Sequence, residues 1–248
     1  MALASTRLGG WTPETGHRTL AEKAFVALHD AIVRGELQPG ERLPIEELAD
    51  VLDMSPMPIR EALRRLDAVG LVENVPHRGA RVTELSLEDL RDVYEARLAL
   101  EPLAVEHAAE RFDSEDAERG RETLATLNKL GDRSTPETWA AHTAFHFCLY
   151  EAAGSDWLLR LIRPLWESSE RYRLAAPTRR KLSMRRDEHD RILQACVDHQ
   201  PAVARAELHN HLARTAGLVA RSMGGGELFD SVEVPKPRRR RSAGATPP

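Results

Sequence analysis

Cysteine is nearly absent. The chain has two in 248 residues, Cys148 and Cys196, which excludes a disulfide framework. Both sit in apolar helical surroundings and are read as small core residues. No apolar run approaches the roughly 18 residues that span a bilayer, so no membrane association is expected. The first residues, MALASTRLGGWTPETGHRT, lack the continuous apolar core of a signal peptide, and a cytoplasmic location is expected. Excess positive charge is missing too: the formal net charge is −4, and residues 20–86 are themselves slightly acidic. No Ser/His/Asp or Cys/His arrangement occurs at a recognisable catalytic spacing, and no HExxH motif is present. The reading is of a protein that is not an enzyme. What is there is ordinary for a globular chain, 42% hydrophobic and 30% charged, with length for two modest domains.

The first domain is organised around LADVLDMSPMPIREALRRL, residues 48–66. Leu48, Ala49, Val51 and Leu52 form an apolar face of about two turns. Asp53-Met54 breaks it, Ser55 is a suitable N-cap whose hydroxyl can accept from an orphan N–H, and Pro56 suits the first helical position. Ile59, Ala62, Leu63 and Leu66 then form an inward stripe. Arg60 and Arg64, one turn apart, are left on another side. After Gly70, residues 71–75 and 80–82 read as strands joined by Pro76-His77-Arg78-Gly79. A short helix, a turn, a second helix and a two-stranded wing make a winged helix-turn-helix, whose second helix suits the DNA major groove. The basic residues of this region (Arg60, Arg64, Arg65, His77, Arg78, Arg81) gather on that helix and the wing, where phosphate contacts are needed. Upstream, Leu20, Ala24, Leu28 and Ile32 mark a helix that Gly35 ends, and Pro44 starts the next.

From Leu87 to Met223 the pattern is helical throughout, with helices expected over 87–111, 114–130, 136–152, 156–174, 177–198 and 201–223. Turn or capping chemistry separates them at Asp113, Gly131, Gly154, Ala176-Pro177 and Gln200-Pro201. The fold class is therefore mainly α: an N-terminal winged helix-turn-helix and a C-terminal antiparallel bundle of six to seven helices. The expected organisation is a disordered N-terminus over 1–17, the winged domain over 18–84, the bundle over 86–223, and a disordered basic tail over 224–248. The Arg238 to Arg241 run in that tail reads either as nonspecific attraction to DNA or as a solubilising tail.

Among ten histidines, four fall on inward stripes of the bundle. His142 and His146 are one turn apart, His189 lies on Leu182-Arg185-His189-Ile192-Cys196, and His211 lies on Leu208-His211-Thr215-Leu218. His199 and His209 point elsewhere. Converging imidazoles need hydrogen-bond partners or a metal, so periodicity alone leaves both a metal site and ordinary buried or pH-sensing histidines open.

IVRGELQPGERL (32–43), LADVLDMSPMPIREAL (48–63) and GLVENVPHRGARV (70–82) resemble, in order, the DNA-binding domain of the GntR family of bacterial transcription regulators. DVYEARLALE (92–101), HTAFHFCLYEAAGS (142–155), EHDRIL (188–193) and the helix bearing His211-Leu212 resemble the FCD domain of that family's FadR-like branch. The resemblance implies that Ser55, Pro56, Met57, Arg60, Arg64, His77, Arg78 and Gly79 lie at the DNA. It also implies a divalent metal held at His142, His146, His189 and His211, which in turn takes a small carboxylate effector. Two departures affect DNA contacts: Pro56-Met57 stands where Arg-Thr is common, and Glu46 where Arg is. A third affects the metal, since His142 occupies the place of an Asp. An imidazole there shifts preference toward zinc or nickel, and leaves the site one charge more positive. Arg97 matches a family arginine facing the effector, where it could pair bidentately with a carboxylate; its other reading is an intrahelical pair with Glu101. Arg171 and Tyr172 are further effector-binding candidates. The functional expectation is a homodimeric, ligand-responsive regulator, a repressor released by its effector from a pseudo-palindromic double-stranded operator. Two rivals remain at this stage, a regulator in which the ion itself is the signal and a metal-dependent enzyme carrying a DNA-binding domain, with Glu188 as its candidate base.

Overall fold

A run of alanine and leucine at helical spacing begins the described chain, and it folds as the sequence predicts. The computed structural model describes residues 19–75, 79–131, 135–175 and 182–236, with side chains from 186 onward in the last stretch. Helix α1 (Leu20–Val33) is capped by Thr19, whose hydroxyl accepts from the Glu22 N–H, and buries Ala24, Leu28, Ala31 and Ile32. Helix α2 (Ile45–Val51) carries Glu46 and Glu47 in its first turn, where carboxylates favour the positive end of the helix dipole. Between α2 and α3 (Pro56–Ala68), Asp53 takes φ +51°, a left-handed conformation that Asp tolerates better than most residues. Strands β1 (Val72–Val75) and β2 (Gly79–Val82) pair antiparallel, Val72 opposite Val82.

The wing has a partner that the sequence did not reveal. Gly40 N–H donates to Val82, Val82 N–H to Glu41, and Leu43 N–H to Ala80, so residues 40–43 satisfy the outer edge of β2. Leu28, Leu37, Leu43, Leu48, Ile59, Leu66, Leu71 and Val82 form one buried core. Truncating any of these leucines to alanine costs about 2–5 kcal/mol.

The remaining described elements are α4 (Leu87–Arg111), α5 (Ser114–Leu130), α6 (Pro136–Glu151), α7 (Asp156–Ala175), α8 (Leu182–Val197) and α9 (Pro201–Ser222). Their ends have local causes. Ser86 Oγ accepts from Asp89 N–H at the start of α4. Asp113 and Asp116 form a reciprocal capping box on α5, and Thr135 caps α6 ahead of Pro136. Gly120 on α5 lets Leu193 of α8 pack where a Cβ would stand. Residues 177–181, expected to open α8, lie outside the described residues.

The chain divides into two compact units, and the division does not fall at the linker 83–85. Among the described residues, the first unit comprises 19–93 with 163–175 and 222–225; the second holds 94–162, 182–221 and 226–236. Segment 163–175 of α7 belongs to the first unit because its polar groups are bound there. Arg171 donates to the Thr83 carbonyl, Tyr172 donates to Asp89, and Glu167 meets His29 at 3.0 Å.

The expectation of a disordered tail beginning at 224 is corrected for its first part. Residues 226–236 run back along α9 within the second unit. The Asn210 amide donates to the Val232 carbonyl at 2.9 Å and accepts the Val232 N–H at 2.7 Å. Gly217 leaves the space that the Glu227 carboxylate enters, and Glu227 pairs with Arg221. Two backbone hydrogen bonds from one side chain hold an extended segment without regard to its own side chains, which is why composition did not disclose it. Residues 237–248, with the arginine run, lie outside the described residues. No helix among those described is long and apolar enough to cross a membrane.

Candidate DNA-binding face and metal centre

Helix α3 buries Ile59, Ala62, Leu63 and Leu66 and so turns the intervening side chains outward. Met57 is 70% exposed, and Arg60 and Arg64 are exposed on the same side. Ser55 is the N-cap by backbone conformation, yet its hydroxyl makes no capping bond, contrary to the capping role expected of it. Pro56 occupies the first helical position, where its missing N–H costs nothing. Gly79 is exposed with φ +80°, a conformation that requires glycine. His77 and Arg78 lie outside the described residues.

The structure separates the arginines of this region into two sets. Arg65 pairs with Glu22 at 2.7 Å and covers the Phe25 ring at 4.1 Å. Arg81 pairs with Glu73 at 2.6 Å across the wing and reaches Glu84. Arg60 and Arg64 take part in no ion pair among the described residues. Arg65 and Arg81 are thus each paired with a carboxylate within the fold.

In the second unit, α6, α8 and α9 bring His142, His146, His189 and His211 together. All four are buried, and one ligand atom from each lies within 4.8 Å of the others. Ring centroids stand 4.6 Å apart for His142–His146, 5.1 Å for His146–His189 and 4.8 Å for His189–His211. Phe145 packs against His146 and His189, at 5.3 and 4.9 Å, and supplies an apolar wall. Water is largely kept from such a pocket, so donor–ion attraction there is weakly screened.

Two chains of polar contacts orient this cluster. Tyr150 O–H donates to Glu101 Oε2 at 2.6 Å. Burial, then the Glu101 charge, raises the phenol well above its ordinary value, so its single proton stays on Tyr150 and is given to Glu101. The 3.2 Å contact between Tyr150 oxygen and His146 Nδ1 then has to be donated by the imidazole. His146 is thereby the Nδ1–H tautomer, with its lone pair on the buried Nε2. Glu101, fully buried, is in turn matched by Arg97, Nε to Oε1 at 2.5 Å and Nη2 to Oε2 at 3.1 Å. Burial opposes the guanidinium charge, but Glu101 outweighs it and raises the Arg97 pKa.

The second chain joins an imidazole hydrogen bond to an ion pair. His211 Nδ1 lies 2.9 Å from Glu188 Oε2, and Arg214 Nε stands 2.9 Å from Glu188 Oε1 as an ion pair. A carboxylate accepts, so His211 also carries its proton on Nδ1 and presents Nε2. An imidazole whose far nitrogen donates to an acceptor is held in the tautomer and orientation of a metal ligand. The donor set fits a borderline divalent ion such as zinc or nickel.

Sequence reasoning missed Tyr150, Glu188 and Arg214 as supports of the site, and knew Glu101 only as the partner of Arg97. The signals were present: Tyr150 follows His146 by one turn, and Arg214 follows His211 by three residues. Glu188 had been expected on a different helix face from His189; it is buried, with one oxygen on His211 and the other paired with Arg214. For Arg97 the structure contains the intrahelical pair with Glu101, as a buried fork. Arg171 and Tyr172, effector-binding candidates by resemblance, lie apart from the histidine cluster. They belong to the first unit, where their polar atoms bind Thr83, Ser86 and Asp89.

The two regions correspond to two family models. Residues 20–82 match the bacterial regulatory proteins of the gntR family, and residues 92–214 match the FCD domain. This chain is a GntR-family transcription regulator. Among its relatives, the HTH-type transcriptional repressor GlaR of Escherichia coli K12 is 29% identical over 80% of this chain and 94% of its own length. The probable D-xylose utilization operon transcriptional repressor of Paenarthrobacter nicotinovorans is 32% identical over 78% and 86%. The uncharacterized HTH-type transcriptional regulator BphR of Paraburkholderia xenovorans is 35% identical over 65% and 69%. The solved structure of E. coli McbR/YncC shares the fold, with a TM-score of 0.70 at 23% identity over 83% of this chain and 99% of that one. GntR regulators bind DNA operators, and the relatives named here as repressors place this chain among DNA-binding transcriptional regulators.

Proposed function

We propose that this GntR regulator is a homodimeric repressor whose four-histidine centre holds a divalent metal, zinc or nickel, and takes a small carboxylate effector that releases the operator. The observation that carries this is the pair of orienting chains, Arg97–Glu101–Tyr150–His146 and Arg214–Glu188–His211, which fix two imidazoles with Nε2 presented. His142, His146, His189 and His211 would hold the ion; when bound, it supplies a Lewis-acidic position for a carboxylate oxygen. With no carboxylate among the four ligands, the centre stays more positive than an Asp-containing one, which favours an anionic effector.

Ser55, Pro56, Met57, Arg60, Arg64 and Gly79, with His77 and Arg78, meet the DNA in this reading. Arg60 and Arg64 carry the charge, because Arg65 and Arg81 are already paired. Two-fold symmetry of a dimer would require a pseudo-palindromic operator. Effector binding then changes operator affinity only by its differential affinity for the two arrangements of the winged domains.

One observation favours a second reading. Four imidazoles complete a tetrahedral zinc set, whereas sites that bind a further ligand usually keep a position open. On that ground zinc would itself be the signal, while nickel, with its larger coordination number, would leave room for a carboxylate. The test recovers fragments of sheared genomic DNA with the purified chain, metal-loaded or chelated. Enrichment of one inverted repeat, lost in Arg60→Ala, supports the regulator. Loss of that enrichment with chelator and no organic acid present favours the ion as signal. Enrichment that survives chelation and ignores carboxylates refutes both versions.

A further inference from the structure

A second pocket lies in the first unit, apart from the histidines. The end of α1 and the following turn, the end of β2 and the last turns of α7 enclose a cavity of about 160 Å³. Ile32, Leu37, Val82 and Leu174 give it apolar walls, and Arg34 and Arg171 are its charged lining; no carboxylate lines it among the described residues. Arg171 is only 4% exposed. Its hydrogen bond goes to the neutral carbonyl of Thr83, and the carboxylate nearby, Asp89, is engaged by the Tyr172 hydroxyl. Burial lowers the pKa of the guanidinium even against the charges of Tyr172 and Asp89.

An arginine stays protonated in a protein, and a buried charge is costly without an ionic partner. The Ala31 and Ile32 carbonyls at the end of α1 accept from the Gly35, Glu36 and Leu37 N–H groups, and neither accepts a hydrogen bond from Arg171. A cavity of about 150 Å³ accommodates benzene. Apolar walls of that size around a buried guanidinium, with no carboxylate in the described lining, describe a receptor for a small anion with an apolar body.

We infer that this cavity binds a small monocarboxylate, its carboxylate on Arg171 and its hydrocarbon against Ile32, Leu37 and Leu174. Arg34 stands at the pocket as a second cation, partly drawn off by Asp30 at 3.7 Å. An occupant would touch α1, the wing and α7 at once, and so would stabilise the packing of α7 residues 171–175 on the winged core. This site does not depend on the metal reading of the bundle.

The test titrates benzoate and butyrate into the full-length chain by calorimetry, with inorganic phosphate as the purely ionic probe. Four proteins are compared: the unaltered chain, Arg171→Gln, Leu174→Trp, and His146→Ala/His189→Ala. Leu174→Trp fills the cavity while keeping the cation, which guards against a fold defect in Arg171→Gln. The expected result is benzoate binding at millimolar concentration or tighter. It weakens at least tenfold in both pocket variants, persists in the histidine variant, and exceeds phosphate binding. Absence of benzoate binding to the unaltered chain overturns the proposal. So does equal binding by Leu174→Trp, loss in the histidine variant alone, or phosphate binding as tight as benzoate.

Discussion

Tyr150→Phe removes one oxygen from the second unit and breaks one of the two orienting chains at its middle. The ring stays, so the packing of a fully buried side chain is kept, but His146 Nδ1–H loses its acceptor and Glu101 loses a donor. A buried donor left without a partner costs about 1–3 kcal/mol, and this falls on the metal-free protein. Loss of an outer-sphere partner weakens metal binding by about 10–100-fold, or about 1.4–2.7 kcal/mol. The two effects are read separately: thermal unfolding of the metal-free chain reports the first, and competition for zinc against a chromophoric chelator reports the second. Tyr172→Phe is the control. Its hydroxyl is also buried and bonded, to Asp89, but in the first unit, so it should lose stability with zinc affinity unchanged. Zinc affinity in Tyr150→Phe equal to the unaltered chain, alongside lower stability, would refute the argument that the tyrosine sets the His146 tautomer.

Three further outcomes are expected. Arg60→Ala should weaken operator binding by about 1–3 kcal/mol if it reads a base, or lower the salt dependence by about one ion if it meets a phosphate, whereas Arg65→Ala should cost stability first; titration of a labelled operator at two salt concentrations distinguishes them. His29 is half-buried, which opposes its charge, but hydrogen bonds to Asp30 and Glu167 and their charges raise it to about 9. The folded value exceeds the unfolded one near 6.5, so the stabilisation is complete below pH 6.5 and is lost as pH rises through 9, by about 1–3 kcal/mol; urea unfolding across pH 6 to 10 should show this slope, and His29→Gln should flatten it. Asn210→Ala removes both bonds to Val232, each worth about 0.5–1.5 kcal/mol net, and hydrogen exchange at residues 228–234 should accelerate while α9 stays protected. Unchanged exchange there would mean that Asn210 does not hold the segment.

Local chemistry determined most of the helices in this chain. Asp113 with Asp116 and Thr135 with Pro136 mark helix starts whatever the surroundings, and α4 and α5 end where Arg111 and Leu130 had been expected to end them. Periodicity also placed the four histidines on inward stripes, because the 3.6-residue repeat sends His142 and His146 to one side. That three helices bring those stripes to one point, within 4.8 Å, was decided only by packing, since helical spacing carries no information about a neighbouring helix. The same holds for charge. Arg60, Arg64, Arg65 and Arg81 are alike in sequence, and long-range partners, Glu22 for Arg65 and the wing's Glu73 for Arg81, decide which remain available to DNA. Glu188 could not be assigned a direction until α9 supplied His211 and Arg214, and the tail read as disordered until Asn210, 22 residues before Val232, gave it a backbone partner. Sequence sets what a residue can do within a turn or two; burial and pairing across elements depend on distances that only the folded chain sets.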